Sequence, residues 1–386
     1  MTSTPDGAGI LARARALAPA LRERSEEIER ARRLPADVVE LLRATGVFRM
    51  GFGRSWGGPE LTSMEQTAVV EALAYGDTSA GWCAMIGMDT GLYASFLDET
   101  AAKEMFPHLD MITAGLLFPS GRADRVPGGY RLTGHWQFGS GITHSDWVIS
   151  GAFIFADGLP EPAEGPQDSR LLMVPRSEVE ILDTWHTTGL AGSGSCDYRI
   201  TDVFVPEEHA LTFDTVHGAA GPLAQPEVHM RNMPGVPLGV ARAALDHVRT
   251  AIAEGGRWTD DWRAQTTVAA CEADFNATRA AVYGALQRQW EVLAAGGTLA
   301  DLTPDERAAL PLSRLHAFRT ARSIVTRLYD LMQTASVYRP SPLDRWLRDT
   351  TTMCQHIVAQ DRILQSAGAH LLGGRPQFAL SLGITG

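Results

Sequence analysis

The chain has 386 residues, is 45% hydrophobic and 20% charged, and carries a formal net charge of −11, values typical of a globular protein with two or three subdomains. This acidic balance argues against nucleic acid or an anionic membrane surface as a partner, because phosphate groups are bound by clustered Lys and Arg. The four cysteines stand far apart and form no CxxC pair, which argues against a disulfide framework or zinc knuckle and predicts a cytoplasmic location.

Helical patterns fill the first part of the chain. The N-terminal segment is a charged amphipathic helix without the apolar stretch of a signal peptide. Pro35 begins a second helix and Gly46 ends it, in line with the preference for Pro at a helix start and Gly at a helix end. Apolar residues between 63 and 97 predict two more helices, but no run reaches the ~18 apolar residues of a membrane span. We expect an N-terminal helical domain over residues 1–111.

Short runs rich in β-branched and aromatic residues follow and predict a central domain of strands over residues 112–228. They are ITAGLLF, GGYRLTGHWQF, DWVISGAFIF, RLLMVP and CDYRITDVFVP. Long Ala- and Arg-rich segments with helical spacing then continue to the end of the chain. The predicted fold class is α+β, mostly α, with a β-barrel-like central domain and a C-terminal four-helix bundle over residues 229–386. We expect a ligand to bind at the seam between sheet and helices.

The motifs of the chain argue against several kinds of site. GFGRSWGG at 51–58 lies between helices and lacks the dinucleotide-binding spacing, so the sequence predicts no NAD(P)H site. GLAGSGS at 189–195 lies between two strands, where no helix N-terminus follows to bind phosphate, and we interpret it as a tight connection whose backbone amides could line a ligand. No GxSxG motif supports a hydrolase. The eleven histidines show no metal-binding spacing, so no metal site is expected.

Three segments together resemble the acyl-CoA dehydrogenase family across nearly the whole chain. GGYRLTGHWQFGSGITHSDWVISG is similar to the strand pair that carries the flavin ring in that fold. TTGLAGSGSCDYRITDVFVPEEHAL is similar to the segment that follows, and RWLRDTTTMCQH resembles the C-terminal helix that reaches the active site. The resemblance implies the fold named above, and it implies that His356 lies on that helix.

The C-terminal segment separates two branches of this family. In the commonest acyl-CoA dehydrogenases a glutamate base follows the arginine of this helix by about nine residues. Counted from Arg348, this position in the chain is Ile357, and His356 is its neighbour. No Asp or Glu occurs between Asp349 and Asp361, so abstraction of an α-proton has no evident base. The pattern instead resembles the two-component flavin-dependent monooxygenases of this fold, which include phenol and indole hydroxylases, dibenzothiophene monooxygenase and sugar N-oxygenases.

This resemblance implies a reaction and a set of partners. Reduced flavin from a separate reductase would react with O2 to a C4a-hydroperoxide, which transfers one oxygen atom to a phenol- or indole-like aromatic substrate. Reduced FAD is the expected cofactor and FMN the alternative, and a homotetramer is implied. The catalytic residues would be His356, whose imidazole exchanges a proton near neutral pH, and Ser140, whose hydroxyl would lie near the flavin N5 and both donates and accepts.

The same resemblance implies further contacts with flavin and substrate. Phe138 would pack against the isoalloxazine, and Gly139 and Gly141 would let the backbone approach it. Phe118 and Pro119 would cover another ring edge, and the pyrophosphate would be bound by Arg257 or Arg263. Substrate-binding residues should stack on planar rings and exclude water, and they are expected to be Trp82, Met85 and Tyr93, together with Phe118.

Three other functions stand as alternatives. They are N-oxygenation of an amine or amino sugar, dehydrogenation of an acyl-CoA with a base located elsewhere, and a non-enzymatic protein that has kept the flavin-binding fold. Preference for reduced flavin with consumption of O2 would favour an oxygenase. Reduction of bound oxidised flavin by an acyl-CoA would favour a dehydrogenase, and a protein that binds no flavin would be neither.

Overall fold

The computed structural model describes residues 7–162, 164, 167–218, 221–256 and 258–384. Along the chain, a mixed sheet of eight strands lies between two sets of helices. The helices before the sheet are α1 Gly7–Glu23, α2 Ser25–Ala31, α3 Ala36–Thr45, α4 Ser63–Gly76, α5 Thr78–Gly87, α6 Thr90–Tyr93 and α7 Glu99–Met105. Those after it are α8 Gly235–Gly255, α9 Trp262–Ala294, α10 Pro304–Met332, α11 Thr334–Val337, α12 Leu343–Met353 and α13 Asp361–Leu371.

The strands include all five runs that the sequence predicts. They are β1 Thr113–Val126, β2 Gly129–Gly139, β3 Trp147–Ala156, β4 Leu159–Pro160, β5 Ser169–Pro175, β6 Glu180–Leu182, β7 Cys196–Pro206 and β8 Ala210–Leu211. Their order in the sheet is β6-β7-β2-β1-β3-β5-β8, with β4 paired to β3. β1 and β3 are parallel, and the other pairs are antiparallel. The short strands β4, β6 and β8 were not predicted.

The changes between helix and strand agree with the predicted chain order. The first lies between Met105 and Thr113, and the second between Leu211 and Gly235. The boundaries expected at 111/112 and 228/229 fall inside these two connections. As a division into three domains they stay a prediction.

Local capping sequences set the ends of α3, α4 and α5. Gly46, with φ +84°, ends α3 after Pro35 at its N-cap, as predicted. Thr62 and Glu65 form a capping box at the start of α4, which satisfies two backbone groups that a helix start otherwise leaves unpaired. Asp77 then caps α5 by accepting the Ala80 N–H at 2.9 Å. This cap marks the start of α5, the helix that carries Trp82 and Met85.

The prediction that His356 lies within a continuous helix is wrong. α12 ends at Met353, and His356 is the N-cap of a single 3-10 turn over Ile357–Ala359 before α13 begins. The Gln360 side chain donates to the Cys354 carbonyl at 2.7 Å, which gives that carbonyl a partner outside the helical pattern. His356 therefore stands at a corner between two helices.

Two further observations concern the described residues as a whole. Within them, no helix is both long and apolar enough to cross a membrane. The four cysteines are free and buried.

Candidate active site

Trp82 joins the two residues predicted to be catalytic. It is 4% exposed, and its Nε1–H donates to Ser140 Oγ at 3.0 Å. The rings of Trp82 and His356 pack edge to face, with their centroids 5.5 Å apart and their planes at 77°. One side chain of α5 thus contacts a residue that follows β2 and a residue that follows α12. The three parts of the chain meet at this point.

A chain of serine hydroxyls extends from Ser140 into the protein. Ser140 Oγ lies 2.7 Å from Ser195 Oγ, and Ser195 Oγ lies 2.7 Å from Ser193 Oγ. Ser193 Oγ in turn donates to the Leu190 carbonyl at 2.7 Å. Ser193 and Ser195 belong to the GLAGSGS segment, which lies between two strands as predicted, although the first of them, β6, was not itself predicted. The side-chain hydroxyls of this segment, and not only its amides, approach the site.

Arg348 and Asp349 hold this connection in place. Arg348 Nη1 donates to the Thr188 carbonyl at 2.6 Å and pairs with Glu29. Asp349 Oδ1 accepts the Leu190 N–H at 2.7 Å. Burial and the nearby Asp77 carboxyl together raise the pKa of the Asp349 carboxyl to about 7. The pair from α12 therefore acts on the site through the loop and does not face it directly.

His356 is neutral at physiological pH. Burial lowers the pKa of its imidazole to about 4, and the positive charge of Arg314 contributes. The Val358 N–H donates to Nδ1 at 3.4 Å, which leaves the proton of the neutral ring on Nε2. His356 keeps part of its surface accessible. Its geometry favours donation of a hydrogen bond from Nε2.

A buried arginine and a second histidine adjoin His356, and the sequence analysis missed both. Arg314 of α10 has no exposed surface, and its Nη1 donates to the Met230 carbonyl at 3.2 Å, while Nε and Nη2 have no partner among the described residues. Burial and then Arg314 lower the pKa of His229 to about 3. His229 also stacks on Phe213 with centroids 5.6 Å apart. In sequence, nothing separates Arg314 from the other arginines of its helix.

Two aromatic rings stand exposed where the flavin is expected. Phe118 is 65% exposed and Phe138 is 57% exposed. The pairing of β1 with β3 shifts register between Leu116 and Gly121, so Phe118 and the half-buried Pro119 lie outside the regular ladder. Phe138 has φ +61°, a conformation that costs a bulky residue roughly 1–3 kcal/mol and often marks a functional position. The exposed Phe138 ring stands two residues before the Ser140 hydroxyl, and exposed rings of this kind would suit the ring system of a flavin.

Gly139 and Gly141 are also explained by contacts inside the protein. A Cβ on Gly139 would lie 3.0 Å from the Cys196 carbonyl and from Ile142 Cδ1. Gly141 has φ +76°, and a Cβ there would lie 3.2 Å from His144 Nε2. Contacts inside the protein at both positions, and a left-handed turn at Gly141, therefore favour glycine. The approach of the flavin to their backbone stays a prediction.

The remaining predicted residues are placed as follows. Met85 is 1% exposed and shares the large apolar cluster of Trp82. Tyr93 is 5% exposed and packs in a separate cluster with Phe52 and Phe96. Arg263 is exposed at the start of α9, and Arg257 lies outside the described residues. No group of three or more His, Cys, Asp or Glu side chains in the described ranges could hold a metal ion.

The chain is similar to known proteins along most of its length. Residues 8–108 match the family model "Acyl-CoA dehydrogenase, N-terminal domain" and residues 234–361 match "Acyl-CoA dehydrogenase, C-terminal domain". The chain is 32% identical to indole-3-acetate monooxygenase of Pseudomonas putida over 369 residues, which is 92% of this chain and 91% of that protein. It is 29% identical to the oxygenase component of the FADH2-dependent resorcinol hydroxylase of a Rhizobium species, covering 95% of each.

The fold also matches a solved structure over almost its whole length. The HsaA monooxygenase of Mycobacterium tuberculosis superposes with a TM-score of 0.89 at 26% sequence identity, covering 97% of this chain and all of the other. The likeness therefore extends through all three parts of the chain.

Proposed function

The chain belongs to the acyl-CoA dehydrogenase family and is the oxygenase component of a two-component flavin-dependent monooxygenase, and we propose that it hydroxylates a phenol- or indole-like aromatic substrate at the seam around Trp82. Its cofactor is a reduced flavin that a separate reductase supplies. Relatives named for an indole and for resorcinol support the substrate class, and the FADH2-dependent relative favours FAD over FMN.

The observation that carries this proposal is the contact of Trp82 with both Ser140 and His356. A hydrogen bond of 3.0 Å joins Trp82 to the first, and an edge-to-face ring contact of 5.5 Å joins it to the second. A serine hydroxyl and a neutral imidazole thus share one apolar wall. Such a wall excludes water while it leaves a few polar groups to orient a substrate.

The residues that would hold the flavin are Phe138, Phe118, Pro119 and Ser140. The exposed rings of Phe138 and Phe118 supply an apolar surface, and the Ser140 hydroxyl supplies a hydrogen-bonding group two residues after Phe138. Arg263 and Arg257 stay proposed for the pyrophosphate. With O2, the bound reduced flavin supplies the electrophilic oxygen that is transferred to the ring.

His356 would act as a hydrogen-bond donor to the oxygen that acquires negative charge when the other oxygen atom is transferred. Its Nε2 carries the proton of the neutral ring, and Nε2 makes no hydrogen bond within the described part of the chain. A donor aimed at developing negative charge stabilises a transition state without prior reorganisation. Trp82 and Met85, both buried, would pack against the aromatic substrate, and Tyr93 is proposed to support this pocket from its neighbouring apolar cluster.

The acidic residues near His356 do not support a dehydrogenase. Asp344 pairs with Arg348 at 2.9 Å, and Asp361 pairs with Arg319 at 2.6 Å. Asp349 accepts the Leu190 N–H. Each carboxylate of the segment from α12 to the start of α13 is thus engaged elsewhere, so none is free to abstract an α-proton from a bound thioester.

We also propose that the protein is a homotetramer. Leu364 and Leu371 of α13 are each 41% exposed, and the following Leu372 is 89% exposed. Apolar residues that cluster on an exposed helix favour contact with another subunit. Sedimentation analysis at two protein concentrations tests the proposal, and a monomer at both would contradict it. The cytoplasmic location stays a prediction.

Reconstitution with a flavin reductase tests the proposed function. The protein alone should not oxidise NADH, and addition of NADH, FAD and any flavin reductase should convert indole-3-acetate or a simple phenol to a hydroxylated product. Rapid oxidation of NADH without the reductase would contradict the two-component assignment. Reduction of bound FAD by an acyl-CoA under anaerobic conditions would indicate a dehydrogenase instead.

A further inference from the structure

The hydroxyl chain from Ser140 to Leu190 has only one consistent direction. The Leu190 carbonyl can only accept, so its contact of 2.7 Å with Ser193 Oγ uses the Ser193 proton. Because a hydroxyl has one proton, the contact of 2.7 Å between Ser193 and Ser195 uses the proton of Ser195. By the same reasoning, the contact of 2.7 Å between Ser195 and Ser140 uses the proton of Ser140. The Ser140 proton therefore points into the protein.

Trp82 fixes the same direction from the opposite end. Its Nε1–H is a donor only, and it donates to Ser140 Oγ at 3.0 Å. Of the two acceptor positions on this oxygen, one is thus filled and one stays free. Ser140 is 8% exposed, whereas Ser193 and Ser195 are 1% and 3% exposed. Toward the site, Ser140 accepts a hydrogen bond but has no proton to donate.

The loop that carries the chain is anchored on several sides. The Ser193 carbonyl accepts the Gly141 N–H at 3.0 Å and the Cys83 thiol at 3.5 Å. Trp185 Nε1 donates to the Leu190 carbonyl at 2.9 Å. These contacts fix Ser193 and Ser195 relative to Ser140, so the direction of the chain is built into the fold and does not depend on a ligand.

We propose that Ser193 and Ser195 are positioning residues that make Ser140 a hydrogen-bond acceptor toward the flavin, so that the site prefers reduced over oxidised flavin. This inference rests on the proposed function, in which Ser140 lies at the flavin N5. In reduced flavin N5 bears a hydrogen and donates, whereas in oxidised flavin N5 has only a lone pair and accepts. A hydroxyl that accepts can pair with the N5–H of reduced flavin. Toward oxidised flavin it would place its own lone pair against the lone pair of N5, which is repulsive.

The test compares the dissociation constants of oxidised and reduced FAD, measured by anaerobic titration. In Ser195→Ala the Ser140 proton loses its inward acceptor and is free to turn toward N5. Oxidised FAD should bind more tightly, and the ratio of its dissociation constant to that of reduced FAD should fall roughly five- to tenfold, the effect of one hydrogen bond. A tenfold fall corresponds to a potential of the bound flavin about 30 mV more negative. Ser195→Thr keeps the hydroxyl and should restore the ratio.

Ser150→Ala is the matched control. Ser150 is fully buried in β3 and its Oγ lies 3.0 Å from the Tyr198 hydroxyl, so the variant also loses one buried hydroxyl but leaves the chain to Ser140 intact. The ratio of the dissociation constants of oxidised and reduced FAD in Ser150→Ala should equal that of the wild type. If Ser195→Ala unfolds, Ser193→Ala should change the ratio in the same direction, because it removes the anchor on Leu190.

Two results would overturn the inference. One is a ratio in Ser195→Ala within about twofold of the wild type, in a protein whose melting temperature is preserved. The other is an equal change in Ser150→Ala, which would reflect general loosening of the sheet. If either result is found while the protein still hydroxylates its substrate in the presence of a reductase, only the positioning role of Ser193 and Ser195 is contradicted. A protein that binds neither form of FAD would contradict the proposed function as well.

Discussion

Asp349 Oδ1 accepts the Leu190 N–H at 2.7 Å, and this contact connects helix α12 to the loop whose serines orient Ser140. The same Leu190 receives the Ser193 hydroxyl on its carbonyl oxygen. The Arg-Asp pair of the C-terminal helix thus reaches the site indirectly, through one backbone unit. Its carboxyl group is buried, and this burial has a measurable consequence.

Stability should decrease as the pH rises through neutrality, because of Asp349. Burial and the buried Asp77 carboxyl together raise the pKa of its carboxyl to about 7, although the Leu190 N–H and the charge of Arg345 oppose the shift. An unfolded Asp has a pKa of about 3.9, so only the folded state keeps this proton between pH of about 4 and about 7. The stabilisation is therefore lost progressively as the pH rises over this range. Each pKa unit corresponds to about 1.4 kcal/mol.

Asp349→Asn tests this prediction because the amide keeps the acceptor oxygen and does not titrate. The free energy of unfolding in urea should fall for the wild type between pH 5.5 and pH 8, and the fall should be smaller in the variant. An equally large fall in both proteins would show that another group is responsible.

Trp82→Phe should uncouple oxygen consumption from product formation. Phenylalanine keeps an aromatic ring beside His356 but removes the Nε1–H that donates to Ser140. The loss of one hydrogen bond is worth roughly 0.5–1.5 kcal/mol, so the ratio of product to hydrogen peroxide should fall by up to about tenfold. Trp262→Phe, at a ring that is 76% exposed, is the control and should behave as the wild type. A wild-type ratio in Trp82→Phe would mean that the indole serves only in packing.

Arg314→Met should raise the pKa of His356 above its present value of about 4. Burial would still lower it, but the positive charge that contributes to the shift would be gone. The pKa of His229 should rise for the same reason. Proton NMR of histidines labelled with ¹³C at Cε1 measures both values. Arg319→Met, on the same helix and bound to the Ala359 carbonyl at 3.1 Å, is the control. Unchanged histidine titrations in Arg314→Met would remove the electrostatic role assigned to Arg314.

His356→Asn should abolish hydroxylation without unfolding the protein. An asparagine side chain preserves an acceptor for the Val358 N–H, since Asn is a favourable N-cap residue. The melting temperature and the affinity for reduced FAD should therefore stay near those of the wild type. Product formation should fall roughly 10²–10³-fold, the usual contribution of a preorganised hydrogen-bond donor, while O2 is still consumed. Full activity in this variant would show that His356 only packs between the helices.

The elements that sequence predicts well are those whose signals are local. Pro35 and Gly46 mark the ends of α3 because their backbone preferences act at those positions alone. The alternation in GGYRLTGHWQF likewise suffices for β2. The corner at His356 could not be predicted in this way, because the helix is interrupted by a contact from Gln360 back to the Cys354 carbonyl.

The site was predicted only where the resemblance supplied it. Trp82, Ser140 and His356 are brought together by three separate parts of the chain, and no local pattern encodes their contacts. Ser193 and Ser195 look like ordinary loop residues, since their role depends on the position of Ser140 in the folded chain. Arg314 was missed because a charged residue on a helix is usually exposed, whereas this one has no exposed surface.

A single-turnover reaction with ¹⁸O2 tests the central claim most directly. The protein is loaded anaerobically with one equivalent of reduced FAD and an aromatic substrate such as indole-3-acetate or resorcinol, mixed with ¹⁸O2, and the product is analysed by mass spectrometry. We predict one ¹⁸O atom in a hydroxylated product, formed without NADH or a reductase in the mixture and absent when oxidised FAD replaces the reduced form. A hydroxyl group that contains only oxygen from water, or consumption of O2 entirely as hydrogen peroxide across a panel of phenols and indoles, would contradict the assignment as an aromatic monooxygenase.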